Sequence, residues 1–361
     1  MDEETDVYGR LQQHLDKMPI GYPSTETGVE LRLLKQLFTP EQARIALALD
    51  YTFRTIEQTH ERLPEMGLPI QELEAKLEDM ANRGNIFAKK KDGVNVYATL
   101  PLMTMFDLQV NRLTPEFLED LSEYLQGEFG KALSATKVPQ LRVIPLRKSI
   151  KAEHRIGTYD ELRDLIEKAE GRIRIGECIC RKSMQTAGNT CSVTTRKETC
   201  MGFRDFGDLM GRMGWGRSIK KEEALEIAAK NEEEGLVLEP SNQQDVQFIC
   251  SCCGDCCLSL KALKILPRPA EVVASNYYAQ VKAELCDGCG ICVDRCQMEA
   301  VMSQDTTAKV NRDRCIGCGL CVSKCPPEVI YLVKKEKELV PPKDLDAMFE
   351  AIIAIRIQQQ A

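Results

Sequence analysis

Two cysteine runs dominate the chemistry available to this sequence. Cys286-x-x-Cys289-x-x-Cys292-x-x-x-Cys296 returns 29 residues later as Cys315-x-x-Cys318-x-x-Cys321-x-x-x-Cys325-Pro326, with Gly288 and Gly290 matched by Gly317 and Gly319. An iron–sulfur cubane takes four thiolates, and C-x-x-C-x-x-C spacing wraps three of them around one corner. The glycines let the backbone turn tightly and aim amide N–H groups at the sulfurs. Zinc sites also use paired cysteines, but a duplicated run of this form is the iron–sulfur signature rather than the zinc one.

Nine further cysteines lie upstream: Cys178, Cys180, Cys191 and Cys200, then Cys250, Cys252, Cys253, Cys256 and Cys257. They suffice for two additional clusters with one thiol left over. They equally suit one cluster with a redox-active or structural remainder, or zinc. Each group ends a short apolar strand (Ile173 to Ile175, Val246 to Ile249), so a ligand set drawn from both is one option, and spacing does not decide among them. Arg181, Lys182, Arg196 and Lys197 stand beside them, where positive charge would stabilise an anionic cluster and raise its potential. The plain alternative is a solvated basic face.

The duplicated run closely resembles the dicluster bacterial ferredoxins over roughly residues 283 to 335. The resemblance implies a βαββαβ-like fold with two 4Fe-4S clusters and a crossover of ligands. Cys286, Cys289, Cys292 and Cys325 would hold one cluster, and Cys315, Cys318, Cys321 and Cys296 the other. Gln297 departs from the pattern, standing where that family usually has proline, and is expected to alter hydrogen bonding near the first cluster. Cys178-Ile-Cys180-Arg181 and Cys252-Cys253-Gly-Asp-Cys256-Cys257 also resemble a family of long multi-cysteine ferredoxin-like proteins of anaerobes, a likeness that brings no defined reaction.

The chain has 361 residues, enough for two or three domains at roughly 150 residues each. Its 43% apolar and 29% charged residues are ordinary for a globular protein. The start is acidic and no apolar stretch follows, so no leader is expected. The longest apolar run, Ala351 to Ile357, is short for a membrane helix and carries Arg356. A cytoplasmic location without membrane insertion is the expectation. None of the seventeen cysteines precedes Cys178, and such density in a chain without a leader points to metal sites rather than disulfides. Only three histidines occur (His14, His60 and His154), none inside a cysteine cluster, so any metal is held mostly by thiolate. His154 reads as a surface residue. A net charge of −7 fits an acidic carrier that docks on basic patches of redox partners.

The elements that position these motifs divide the chain into six parts. Residues 1–28 read as an irregular arm. Residues 29–137 resemble the winged-helix family in pattern. Helices begin at Val29, at Pro40 behind a Thr39/Gln42 capping box, and near Thr55, and another runs from Ile70 to Arg83. Asp92-Gly93 then turns a hairpin, and a helix over 114–133 closes the module or pairs it with a second copy in a homodimer. Residues 138–266 form a central cysteine-rich α/β segment, with strands at 141–144 and 173–175 and helices at 159–169 and 218–234. Residues 267–282 read as a linker, 283–335 as the ferredoxin-like domain, and 336–361 as a helical tail. The fold class expected is multidomain α+β. Gly207, Gly211, Gly214 and Gly216 around Trp215 lack the order of a dinucleotide site and read as a loop or a close approach to a cluster.

An electron carrier serving oxidoreductase partners is the leading expectation. An iron–sulfur regulator acting on DNA through residues 29–100 is the first rival, and a reductase with a catalytic central cluster the second. Lys89-Lys90-Lys91 suits DNA, but the candidate reading helix carries Glu72, Glu74, Glu78 and Asp79 against Lys76 and Arg83. Across 29–100 eleven acidic residues meet ten basic ones, which suits protein docking or dimerisation better.

Overall fold

The computed structural model describes residues 3–99, 106–146 and 160–360; His154 lies outside them. The chain divides into two compact units. One comprises Met1–Val138, Asp208–Trp215 and Phe349–Ala361, the other Pro139–Gly207 and Gly216–Met348.

The first unit opens on α1 (Glu3–Leu15), within the segment expected to be an irregular arm. Val7, Tyr8, Leu11 and Leu15 form one buried stripe. Their i, i+4 spacing is helical, but the polar residues between them mask it and Pro19 and Gly21 draw attention to the irregular end. Then come α2 (Val29–Leu37), α3 (Pro40–Ala46), α4 (Ile56–His60) and α5 (Ile70–Asn82). Thr39 and Gln42 exchange both bonds of a capping box, at 3.2 and 3.1 Å, and Thr55 and Gln58 repeat it. β1 (Phe87–Lys91) pairs with β2 (Val94–Ala98). Asp92 and Gly93 between them both have positive φ, 51° and 82°, as a two-residue hairpin turn requires. Arg54 adds an extended segment by exchanging backbone bonds with Tyr97 at 3.0 and 2.8 Å.

The helix expected over 114–133 is two, α6 (Pro115–Gln126) and α7 (Glu128–Ala135), because Gly127 takes a non-helical conformation between them. The C-terminal helix, Leu345–Gln360, is not an appended tail. Phe349 and Ile352 are buried in the first unit, the Phe349 ring meets Tyr51 edge-on at 6.1 Å, and Arg356 donates to the Asp16 carbonyl at 3.0 Å. The cation that interrupts the apolar run is thus matched to backbone acceptors.

The second unit runs α8 (Leu162–Glu167), β3 (Ile173–Glu177), α9 (Ile179–Thr186), β4 (Glu198–Gly202), α10 (Arg204–Arg212), β5 (Arg217–Ile219), α11 (Lys221–Glu233), β6 (Val237–Pro240), β7 (Phe248–Cys252) and α12 (Leu258–Ile265). From Asp208 onward α10 is grouped with the first unit. The strands form one antiparallel sheet in the order β5-β3-β4-β7-β6. The glycine-rich stretch is only partly a loop: a strand precedes it, Gly207 and Gly211 lie in a helix, and Gly214 and Gly216 lie in the turn before β5. A Cβ on Gly207 would stand 2.8 Å from the Arg172 carbonyl oxygen, and one on Gly216 would stand 2.1 Å from that of Ile175. These glycines serve close backbone approach. Residues 141–144 make only isolated bridges, Leu141 to Ser241 and Arg142 to Ala274, and the helix expected from Ser218 starts after β5.

The C-terminal part adds β8 (Tyr277–Val281), α13 (Ile291–Asp294), β9 (Val301–Gln304), β10 (Thr307–Val310) and β11 (Ile330–Lys334). β8 pairs antiparallel with β11 and β9 with β10. β8 lies inside the stretch expected to be a linker, and Tyr277 and Ala279 alternate inward as a half-buried strand should. One core runs from Ile173, Ile175 and Ile249 through Leu260 to Ala279, Ile330 and Leu332, so the central and C-terminal parts share a compact unit. Among the described residues no helix is long and apolar enough to cross a membrane.

Candidate metal centre

The duplication in sequence becomes a crossed pairing in space. The Ala279 amide donates to Cys315 Sγ at 3.3 Å, and Ala308, 29 residues later, donates to Cys286 Sγ at 3.4 Å. The Lys282 amide donates to the Val329 carbonyl at 3.0 Å, and Asn311 donates to Ala300 at 2.7 Å. Gly288 sits against the Thr306 carbonyl and Gly317 against that of Tyr277, where a Cβ would come within 2.4 and 2.2 Å. Each contact has a twin shifted by the repeat length and exchanged between halves. The two halves are thus related by an approximate twofold that exchanges them.

A cavity is lined by Cys286, Cys289, Cys292 and Cys325, together with Gly288, Gly290, Val329 and Ile330. It gathers three cysteines of the first run and the last of the second. Burial raises the Cys292 thiol, and Cys286, Cys325 and Cys289 raise it further. Burial likewise pushes Cys318 up to about 12; the Leu320 amide opposes this, while Cys296 and Cys315 add to it. Cys321 is raised by burial first, then by Cys318, Cys315 and Cys296. Crowded buried thiols resist becoming anions unless a cation joins them. Amides aimed at Cys286, Cys315 and Cys296, the last from Ala300 at 3.1 Å, suit sulfurs that carry negative charge. These donor sets fit thiolate-held iron–sulfur clusters.

The nine upstream cysteines fall into two groups. Six form a ring of side-chain contacts: Cys178 meets Cys180 and Cys200, Cys200 meets Cys250, Cys250 meets Cys252, and Cys252 and Cys180 both meet Cys257. The sheet builds it. Met201 pairs with Ile249 across β4 and β7, so the next pair in register sets Cys200 opposite Cys250, and Cys252 follows on the same face. Cys178 and Cys257 occupy the N-cap positions of α9 and α12. Contacts with Cys180 and Cys252, then the Leu260 and Ser259 amides, lower the Cys257 thiol well below its ordinary value, against burial. Glu239 joins the ring, its carboxylate 3.8 Å from Cys257 Sγ; burial, then Cys257, raises it to about 8.

The other three, Cys191, Cys253 and Cys256, gather with Asp255, their ligand atoms all within 4.8 Å of one another. Asp255 and Glu239 were not singled out in the sequence; Asp255 reads there as a spacer between cysteines. Of the four neighbouring cations, Arg181 meets sulfur, its Nη1 3.7 Å from Cys253 Sγ. Lys182 pairs with Glu177 at 3.1 Å and Arg196 with Glu234 at 2.8 Å, while Lys197 accepts the Cys178 amide on its carbonyl. Gln297 bonds to the central cysteine segment: its Oε1 accepts the Gly254 amide at 2.7 Å, between Cys253 and Asp255. Arg295, on the other side of Cys296, donates to the Glu232 and Glu233 carbonyls at the end of α11.

The C-terminal fold and its sulfur sets define an iron–sulfur domain of ferredoxin type. Residues 285–330 match the 4Fe-4S dicluster domain family. Comparison with curated proteins and with solved structures gave no match.

Proposed function

We propose that this protein moves single electrons between oxidoreductase partners. It does so with one 4Fe-4S cluster on Cys286, Cys289, Cys292 and Cys325 and another on Cys315, Cys318, Cys321 and Cys296. The cavity that joins the first three cysteines of one run to the last of the other carries this reading, because only ligand exchange between the halves assembles such a set. When bound, a 4Fe-4S cluster takes up and releases one electron at a time. The chain's own residues set the conditions. Ala279, Ala308 and Ala300 point amides at the sulfurs, and burial of Cys292, Cys315 and Cys321 keeps water from them. Both effects tune the potential. Cys289 is exposed, and Leu285 and Ile291 near it in the chain expose apolar surface, which suits exchange with a docked protein. The six-thiol ring with Glu239 supports a further metal site in the central sheet, held mostly by thiolate.

The order of α2 to α5 followed by the β1–β2 hairpin supports a winged-helix-like module in the first unit. Its helix α5 suits a protein partner or a second copy better than phosphate. Lys76 is paired with Glu41 and Arg83 with Asp79, while Glu78 accepts from Tyr97 and is bridged by Arg212. Anaerobic reconstitution with iron and sulfide, followed by stepwise reduction under paramagnetic resonance, tests the proposal. The expected result is about eight irons from the two C-terminal sets, more with the ring, and one-electron steps. A total clearly below eight, or no reducible paramagnetic centre, overturns it.

A further inference from the structure

We propose that Cys191, Cys253, Cys256 and Asp255 hold one tetrahedral divalent ion of the zinc class, distinct from any cluster on the six-thiol ring. This deepens the reading of the central cysteines as metal ligands and does not depend on the C-terminal clusters. Distances decide between a single ion and a cubane. Ligand sulfurs about 2.3 Å from one tetrahedral ion stand about 3.8 Å apart. Cys191 Sγ lies 3.6 Å from Cys253 Sγ and 3.7 Å from Asp255 Oδ1. In a cubane each thiolate binds a different iron on the outside of the cluster, which holds the sulfurs farther apart. The duplicated run shows the contrast: among the described residues, two groups bring three or more ligand atoms within 4.8 Å of one another, this one and Glu239, Cys252 and Cys257 of the ring, and neither contains a cysteine of the duplicated run.

The surroundings are those of a built site. Cys253-Gly-Asp-Cys256 has the two-residue spacing of zinc pairs. Ser192 fixes the carboxylate, its amide and hydroxyl both donating to Asp255 Oδ2, at 2.7 and 2.8 Å, which leaves Oδ1 toward the thiols. The Thr194 amide donates to Cys191 Sγ at 3.4 Å, and Arg181 stands against Cys253. Three thiolates and a carboxylate around a divalent ion leave a net charge of about −2, which Arg181 and the amides offset. Leu236 packs with Cys253 and Cys256, flanked by Met184 and Val193, in a small apolar cluster apart from the main core.

The test uses the full-length chain, isolated anaerobically and titrated with zinc and with cobalt(II). One ion per chain is expected at this site. Cobalt should give sulfur-to-metal charge-transfer and tetrahedral ligand-field bands that zinc displaces. Asp255→Asn, which can keep the Ser192 bonds, should weaken cobalt binding roughly tenfold or more, and Ser192→Ala less because the amide donor remains. Iron content and the iron–sulfur absorption should stay unchanged in both variants. Absence of the cobalt bands in the folded parent chain overturns the site. So does loss of iron in fours from Cys253→Ser, which would put a cubane there. Either failure leaves the iron count of the C-terminal sets intact, so it is distinguishable from failure of the electron-transfer reading.

Discussion

The amide of Ala308 donates to Cys286 Sγ over 3.4 Å, although the two residues belong to opposite halves of the duplicated run. Its counterpart, Ala279 to Cys315, closes the exchange at 3.3 Å. Each half therefore supplies its partner's cysteines with backbone donors and, in the proposed ligand exchange, with a fourth thiol. A change in one half should be felt at the set named for the other.

The crossed glycines give the first prediction. Gly288 and Gly317 have φ of 70° and 72°, and a Cβ on either would strike the carbonyl of Thr306 or Tyr277. Gly288→Ala and Gly317→Ala should each cost about 2 kcal/mol or more through backbone strain. Each should lower iron retention and the thermal midpoint. Gly93→Ala, where a Cβ meets open space, should leave the iron content unchanged despite its own positive φ.

Gln297 gives the second. It holds the Gly254 amide, so Gln297→Ala should leave that part-buried donor without its acceptor and cost about 1–2 kcal/mol. Iron bound by the duplicated run should be retained, whereas thiols of the Cys253 to Cys257 segment should react faster with an alkylating reagent. Equal reactivity in parent and variant would contradict the tie.

A pH dependence follows from Asp50 in the first unit. Burial opposes its ionisation. Hydrogen bonds from Arg54, the Thr52 amide and Arg62 outweigh that and hold the carboxyl below its ordinary value. A depressed folded value means the stabilisation is present in full above the unfolded pKa of about 3.9 and is lost as pH falls through the folded one. Asp50→Asn should therefore cost about 1 kcal/mol at neutral pH. Denaturant midpoints of parent and variant should converge below about pH 4. A constant gap across that range would contradict the assignment.

What the sequence disclosed was local. The Thr39/Gln42 capping box, the Asp92-Gly93 turn and the cysteine repeat each depend on residues a few positions apart, and each was readable. The ring of six thiols depends on the β4–β7 register that sets Cys200 opposite Cys250, which no spacing encodes. β8 was hidden because its partner β11 lies some fifty residues away, a separation typical of non-local pairing. Gln297 announced itself by departing from a family pattern, but its partner Gly254 is 43 residues distant and on a different motif. Asp255 carried no signal of its own: the bonds from Ser192 and its place among three thiols distinguish it from an ordinary turn aspartate.

The most direct measurement is iron content in two double variants of the reconstituted full-length chain, compared with the parent. Cys286→Ala with Cys325→Ala removes two ligands of a single set if the halves exchange their last cysteine. Cys315→Ala with Cys325→Ala then damages both sets. The account predicts a loss of about four irons from the first pair and about eight from the second. The reverse order would contradict it, because it would mean that each run holds its own cluster.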